Sequence, residues 1–438
     1  MKKVRFCIAA VLIALLVLGW MSLLIDTKKE KAAFLRYCSQ GAEYAEKHLF
    51  QKAIQQYEEA LKIKADPLVS NELINAYRAG LQDGTVTAAK YEQALQKACE
   101  QYPDSTEYWK ELATHYTEKR NFSKAKSVCE QAIKAGVAYS QMEDLLDVVN
   151  YSVMEKRRAF SNVIMSPKGV FTVLNDEKWG ILDSNAEESV RCNYQYIIPV
   201  STNGYSVRVT ERDTRVLDSK GVVQYLFEYE IHYGRAFGND RIPVMLEDET
   251  WSYFNCPQGA MEEERYENAS AFTGQYAVVR SNGEWMMIDA AGPREKIEKF
   301  DDVKLYQNGE FLYTDNYFVA SRNGRYGLYN INGEPVNSFT AKDMDNYYGE
   351  AVAFSDDNGQ WGYVDQEGKV LIEPQYLCAK SFSNGLAAVY NGEAWGFIKP
   401  SGKLVIDYKY RDASYFTAKG VCAISMLEGS YYFIALIQ

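Results

Sequence analysis

Two stretches near the carboxyl end of this 438-residue chain are copies of one another. Trp361-Gly362-Tyr363-Val364-Asp365 runs into Gly368-Lys369-Val370-Leu371-Ile372, and Trp395-Gly396-Phe397-Ile398-Lys399 runs into Gly402-Lys403-Leu404-Val405-Ile406. Weaker copies begin at Trp179, Thr214, Trp251, Trp285, Tyr326 and Tyr431, so eight starts follow one another at intervals of 34 to 41 residues. A short alternating segment precedes every start, at 170–174, 205–209, 242–246, 276–280, 317–321, 351–354, 386–390 and 421–425. Asn282-Gly283, Asn323-Gly324 and Asn391-Gly392 supply the positive φ that tight hairpins need. Three short strands per unit cannot bury both faces alone, so the units must stack on one another. The spacing therefore predicts an all-β repeat domain over residues 168–438. The domain opens with the strand that precedes a unit and the chain stops after the first strand of its last unit, which predicts a ring closed by joining 170–174 to 431–437. That ring is a propeller of seven or eight three-stranded blades, whose closure removes exposed edges; an open β-solenoid is the alternative.

The unit, Trp-Gly-aromatic-aliphatic-Asp followed by a Gly-Lys turn and an aliphatic strand, resembles the WG-repeat family of bacterial proteins. The family is defined by its repeat and not by a reaction, so the resemblance implies binding or scaffolding. Upstream, a second periodicity appears. Gly41, Tyr44, Phe50, Ala53, Tyr57 and Ala60 stand at the same mutual offsets as Ala113, Tyr116, Phe122, Ala125, Cys129 and Ala132, with Trp109 and Leu112 just before the second set. Leu73, Tyr77, Tyr91, Leu95 and Ala98 make a looser middle copy. This ladder resembles the tetratricopeptide repeat, in which small residues let paired helices approach and aromatics fill the gaps between pairs. Three such repeats are expected over residues 31–160. Asp66-Pro67 reads as a helix start, Asp104 with Glu107 as a capping-box variant, and 142–160 as a terminal capping helix ending in Glu155-Lys156-Arg157-Arg158. The tetratricopeptide resemblance implies a protein or peptide partner held on the helical repeats.

At the amino end, Lys2, Lys3 and Arg5 precede an uncharged apolar run over residues 6–25, long enough at about 1.5 Å per residue to cross roughly 30 Å of hydrocarbon. Without a small-x-small cleavage site, the run reads as an uncleaved signal anchor over residues 1–30. The expected fold class is thus multidomain: a transmembrane helix, an all-α tetratricopeptide-like solenoid, then the all-β repeat domain. The expected localisation is a single-pass membrane protein with most of its mass extracytoplasmic.

A net charge of −11 without a basic cluster argues against nucleic acid as a partner. The eight cysteines stand singly, with no Cys-x-x-Cys, and read as packing residues. His48, His115 and His232 are the only histidines and fall in different repeats, which leaves a triad or metal cage little to build on. The acidic run Met261-Glu262-Glu263-Glu264-Arg265 reads as a solvated loop, and Asp183, Asp218, Asp289 and Asp365 share one repeat position whose simplest task is turn formation. No phosphate loop, nucleophile elbow or nucleotide fingerprint occurs. Catalytic, cofactor and metal residues are therefore all expected to be absent. The leading functional expectation is a non-enzymatic protein-interaction scaffold in the cell envelope. A carbohydrate or cell-wall binder or hydrolase is the alternative, using a protein- or glycan-binding face of the β domain, to which the 34 tyrosines would lend contact groups.

Overall fold

The computed structural model describes residues 27–437, apart from 211–212, 229–230, 293–298 and 312. The chain divides into two compact units at residues 150 and 151.

The first unit holds seven helices among the described residues. They are α1 (27–46), α2 (Phe50–Ile63), α3 (Pro67–Gln82), α4 (Ala88–Gln101), α5 (Thr106–Glu118), α6 (Phe122–Lys134) and α7 (Tyr139–Tyr151). The ladder residues make the core: Ala53, Ala60, Ala113, Ala125, Cys129 and Ala132 are fully buried, while Tyr57, Tyr91, Trp109 and Tyr116 fill the space between helices. Gly41 is where a ring comes closest, since a Cβ there would lie 2.6 Å from Tyr57. Asp66 caps α3 as its sequence suggests, its carboxylate accepting from Leu68 N at 3.1 Å with Pro67 in the first turn. The Asp104–Glu107 capping box does not form: Ser105 occupies the cap position of α5, without a side-chain bond.

The expected transmembrane helix and single-pass membrane location are corrected by these elements. No helix among the described residues is long and apolar enough to cross a membrane. The run at 6–25 on which both expectations rested lies outside the described residues.

The second unit is an eight-bladed propeller. In chain order, blade 1 runs from Asn162–Met165 to Glu188–Tyr194, blade 2 from Tyr196–Ile198 to Val223–Phe227, blade 3 from Arg241–Met245 to Ala260–Met261 and blade 4 from Asn268–Ala269 to Glu284–Asp289. Blade 5 runs from Asp302–Val303 to Arg325–Asn330, blade 6 from Asp343–Met344 to Val370–Tyr376 and blade 7 from Cys378–Ala379 to Leu404–Tyr410. Blade 8 takes Asp412–Ala413, Val421–Leu427 and Ser430–Leu436 from the carboxyl end and Val153–Phe160 from the amino end.

All eight expected hairpins form. Five sheets, however, have four strands where three were expected. The extra strand is usually a two-residue piece such as Asp343–Met344, too short to leave a pattern in sequence. Closure occurs, but through a different strand. Segment 170–174 falls in blade 1, and it is Val153–Phe160 that pairs antiparallel with Ser430–Leu436. Residues 153–160 are therefore a strand and not the end of a capping helix. As the outermost strand of its sheet it carries its charges on an edge, which discourages further pairing. Lys156 bonds Glu187 and Arg158 meets Glu188 at 2.6 Å, tying the closing strand to blade 1.

The Trp-Gly pair has a steric cause. In blades 1, 6 and 7 the pairing with the outermost strand slips at this point, between Trp361 and Tyr363 for example. The slipped strand leans onto the glycine: a Cβ at Gly362 would lie 2.5 Å from the Ile372 carbonyl oxygen, and at Gly396 2.8 Å from that of Ile406. Gly327, in a blade with no fourth strand, would clear its nearest neighbour by 3.4 Å. Gly362→Ala is expected to destabilise the propeller by roughly 1–3 kcal/mol, read as a lower thermal midpoint; an unchanged midpoint would mean that the outer strand yields freely.

Candidate interaction groove and axial core

On the helical unit, α2 and α4 form the walls of a groove of about 1100 Å³, and α3 its floor. Ile54, Ile74, Tyr77 and Ala98 are buried at its base, with Leu61, Leu73 and Ala94 half-buried above them. The rims are polar and follow helical spacing. Gln51, Gln55, Glu58 and Lys62 stand along α2; Lys90, Gln93, Lys97 and Gln101 stand along α4. Some of these groups are already engaged. Glu58 accepts from the Tyr77 hydroxyl at 2.8 Å, Lys62 pairs with Glu59 at 2.6 Å, and Gln51 donates to the Thr85 carbonyl at 2.7 Å. Burial and the Glu58 carboxylate together push the Tyr77 phenol well above its ordinary range, so it stays a donor.

In the propeller, segments that lead into the hairpins of several blades meet around the axis. Blade 5 supplies the longest of them. Between Asp302–Val303 and Tyr317–Arg322 lie residues 304–316, against 345–351 at the matching place in blade 6. The longer segment crosses the axis. Gln307 accepts from Met165 N of blade 1 at 3.3 Å, and Asn308 donates to the Val200 carbonyl of blade 2 at 3.0 Å. The Asn308 and Gly309 carbonyls accept from Ala236 N and Ala271 N at 3.2 and 2.8 Å. Glu310, 2 % exposed, accepts from Thr202 N at 2.9 Å, Thr202 Oγ1 at 2.6 Å and Asn308 Nδ2 at 2.6 Å. A second carboxylate, that of half-buried Asp345 in blade 6, accepts from Ser381 N of blade 7 at 2.7 Å and the Tyr415 hydroxyl of blade 8 at 2.8 Å. The rings of Tyr306, Tyr348 and Tyr415 pack beside it, with Tyr348 and Tyr415 centroids 4.6 Å apart. Burial raises both carboxyls above their ordinary values, against the pull of these donors, with Lys380 near Asp345 and Lys168 near Glu310 as the opposing positive charges.

The residues singled out in sequence take structural places. Asp183 Oδ1 accepts from Asn185 N and Glu187 N, and Asp218 Oδ1 from Lys220 N and Val222 N, all at 2.9 Å. Asp365 and Asp289 do likewise with Lys369 N and Ala291 N. These aspartates build turns. His48 sits in the turn after α1 at a φ of 57°, not on a helix face. His115 is buried on α5, with Nε2 3.1 Å from Glu92, and His232 is exposed in the propeller. In the acidic run Glu262 pairs with Arg241 at 2.7 Å, and Arg265 donates to the carbonyls of Glu262, Glu263 and Glu264. Among the described residues no group of three or more His, Cys, Asp or Glu is placed to share a metal ion. The seven described cysteines are free thiols, and burial pushes Cys99, Cys256 and Cys422 up to about 12. The axial crossing was not anticipated; its trace in the sequence is the longest interval between starts, 41 residues from Trp285 to Tyr326.

A family described as WG containing repeat matches residues 361–393 and 395–429. Among solved structures, BamB from Moraxella catarrhalis is similar at 11% identity, over 66% of this chain and 99% of that one, with a TM-score of 0.43. Hsv2 from Kluyveromyces lactis is similar at 10% identity, over 64% and 98%, with a TM-score of 0.36. The WD40 domain of Neurospora crassa Pan2 is similar at 9% identity, over 64% and 89%, with a TM-score of 0.34. A search of curated protein sequences found no significant match.

Proposed function

We propose that the chain is a non-enzymatic protein-interaction scaffold that holds a partner segment on its helical unit and presents the propeller as a second, rigid platform. The observation that carries this reading is the groove between α2 and α4. An apolar floor with polar groups spaced along both rims is the composition of a recognition surface, and the rim residues of both walls are exposed. The propeller supports the non-enzymatic part, because its axial carboxylates Glu310 and Asp345 are occupied by donors of the protein itself and its repeat aspartates by turn amides.

The test is a photo-crosslinking amino acid placed at Ala94, inside the groove, in the chain's native cells. A few discrete protein adducts are expected at Ala94 and none of them at Lys126, which is exposed on α6. Adding Leu73→Arg, which charges the groove floor, is expected to reduce those adducts several-fold. The same faint adduct pattern at both positions would overturn the proposal.

A further inference from the structure

We infer that the groove between α2 and α4 takes a short extended peptide with acidic side chains, held through its backbone by glutamines on both walls. This rests on the scaffold reading and specifies the chemistry of its partner.

Length comes first. From Gln51 to Lys62 the α2 wall rises about 16 Å, a distance that about five residues of extended chain span. An extended segment leaves its N–H and C=O groups unpaired along both sides, and each needs a partner once it leaves water. A glutamine amide offers a donor and an acceptor on one side chain, which suits it to that task. Gln55 stands on one wall and Gln93 and Gln101 on the other, all exposed and all lining the groove. Alternate side chains of the segment would then point to the floor at Leu61, Leu73 and Ala94, and the rest toward the rims.

Charge sets the second requirement. The chain as a whole is acidic, at −11, but the α4 rim is not. Lys90 and Lys97 are exposed, seven positions apart on one helix face, and neither has an ion-pair partner among the described residues. On the opposite wall Lys62 is paired with Glu59, while Glu58 accepts from the neutral Tyr77 hydroxyl and keeps its negative charge. Glu58 and Glu100 are the opposing charges in the lining, neither of them on the Lys90–Lys97 stretch of the α4 rim. Two uncommitted ammonium groups along one rim favour carboxylates on the rim-facing side of the segment.

The experiment uses the purified full chain and fluorescein-labelled peptides of about six residues, one alternating Glu with Leu and one alternating Lys with Leu. The Glu/Leu peptide is expected to bind at least about tenfold tighter than the Lys/Leu peptide, with an affinity that falls as salt rises. Replacing Lys90 and Lys97 together by Glu is expected to weaken Glu/Leu binding by about tenfold or more, with helix content unchanged because both side chains are exposed and unpaired. Gln93→Leu with Gln101→Leu is expected to weaken both peptides alike, since it acts on the backbone and not on charge. Equal binding of the two peptides, or indifference to the lysine reversal, would overturn the acidic preference; no binding of either would overturn the peptide chemistry altogether. In each of those cases adducts at Ala94 would still leave the scaffold reading standing.

Discussion

A chain cut to residues 168–438 is expected to lose the cooperative melting of the propeller, whereas one beginning at residue 151 is expected to keep it. The first cut removes Val153–Phe160, which closes blade 8, and Asn162–Met165, the first strand of blade 1. It also removes two buried side chains, Phe160 at 3 % exposure and Met165 at 2 %. Phe160 lies edge-on to Phe433, which lies edge-on to Phe171, so its loss opens the seam where the ends of the ring meet. Emptying one buried Phe site and one buried Met site costs roughly 3–5 and 2–5 kcal/mol. Together these are comparable to the whole net stability of a domain, about 5–15 kcal/mol, before the unpaired edge of Ser430–Leu436 is considered. Near-ultraviolet circular dichroism and thermal melting of the two fragments make the comparison. Equal midpoints would show that the amino-terminal strand does not close the ring.

The second large effect is expected at Asp345. Replacing it by Ala leaves Ser381 N and the Tyr415 hydroxyl without their acceptor in a largely enclosed site, at a cost of about 3 kcal/mol, which in a unit of this size lowers the midpoint by several degrees. Asp345→Asn keeps an acceptor of the same shape and is expected to cost much less at neutral pH. The pH dependence has a definite sign. Burial holds the folded-state pKa of Asp345 above its ordinary aspartate value, so the folded chain binds more protons than the unfolded one between those two values. Stability then falls as pH rises through that window and is regained as pH drops back through it. Glu310, raised by the same cause, acts in the same direction. The facing groups are Lys380, Tyr306, Tyr348 and Tyr415 around Asp345, and Lys168 and Thr202 around Glu310. Calorimetry from mildly acid to neutral pH should show this slope in the parent chain and a flatter one in Asp345→Asn. An identical slope in both would remove Asp345 from the account.

Much of the propeller is legible in sequence because its determinants are local. Asn282-Gly283 and Asn323-Gly324 adopt positive φ at both residues, so two-residue turns fix the register of their hairpins without help from the rest of the fold. The closing strand is not local. Val153 continues the helical spacing of Leu145, Leu146 and Val149, and Glu155-Lys156-Arg157-Arg158 suits a solvated helix face as well as a charged strand edge. Its conformation is decided by Ser430–Leu436, far along the chain. Blade 5's crossing is hidden for a related reason: residues 304–311 carry no periodicity, and only partners such as Met165 and Thr202 give them a place. The groove is intermediate. Spacing alone puts Lys90, Gln93, Lys97 and Gln101 on one side of α4, but which side stays open depends on how α3 packs between α2 and α4.

Blade 5 stands halfway round a ring of eight from blade 1, and its Gln307 reaches straight over to Met165. An odd number of blades has no such opposite pair. The eight copies therefore cannot be shuffled like identical beads: duplicating or deleting any one would swing the spoke away from its seat, so the count itself is locked by a single elongated copy.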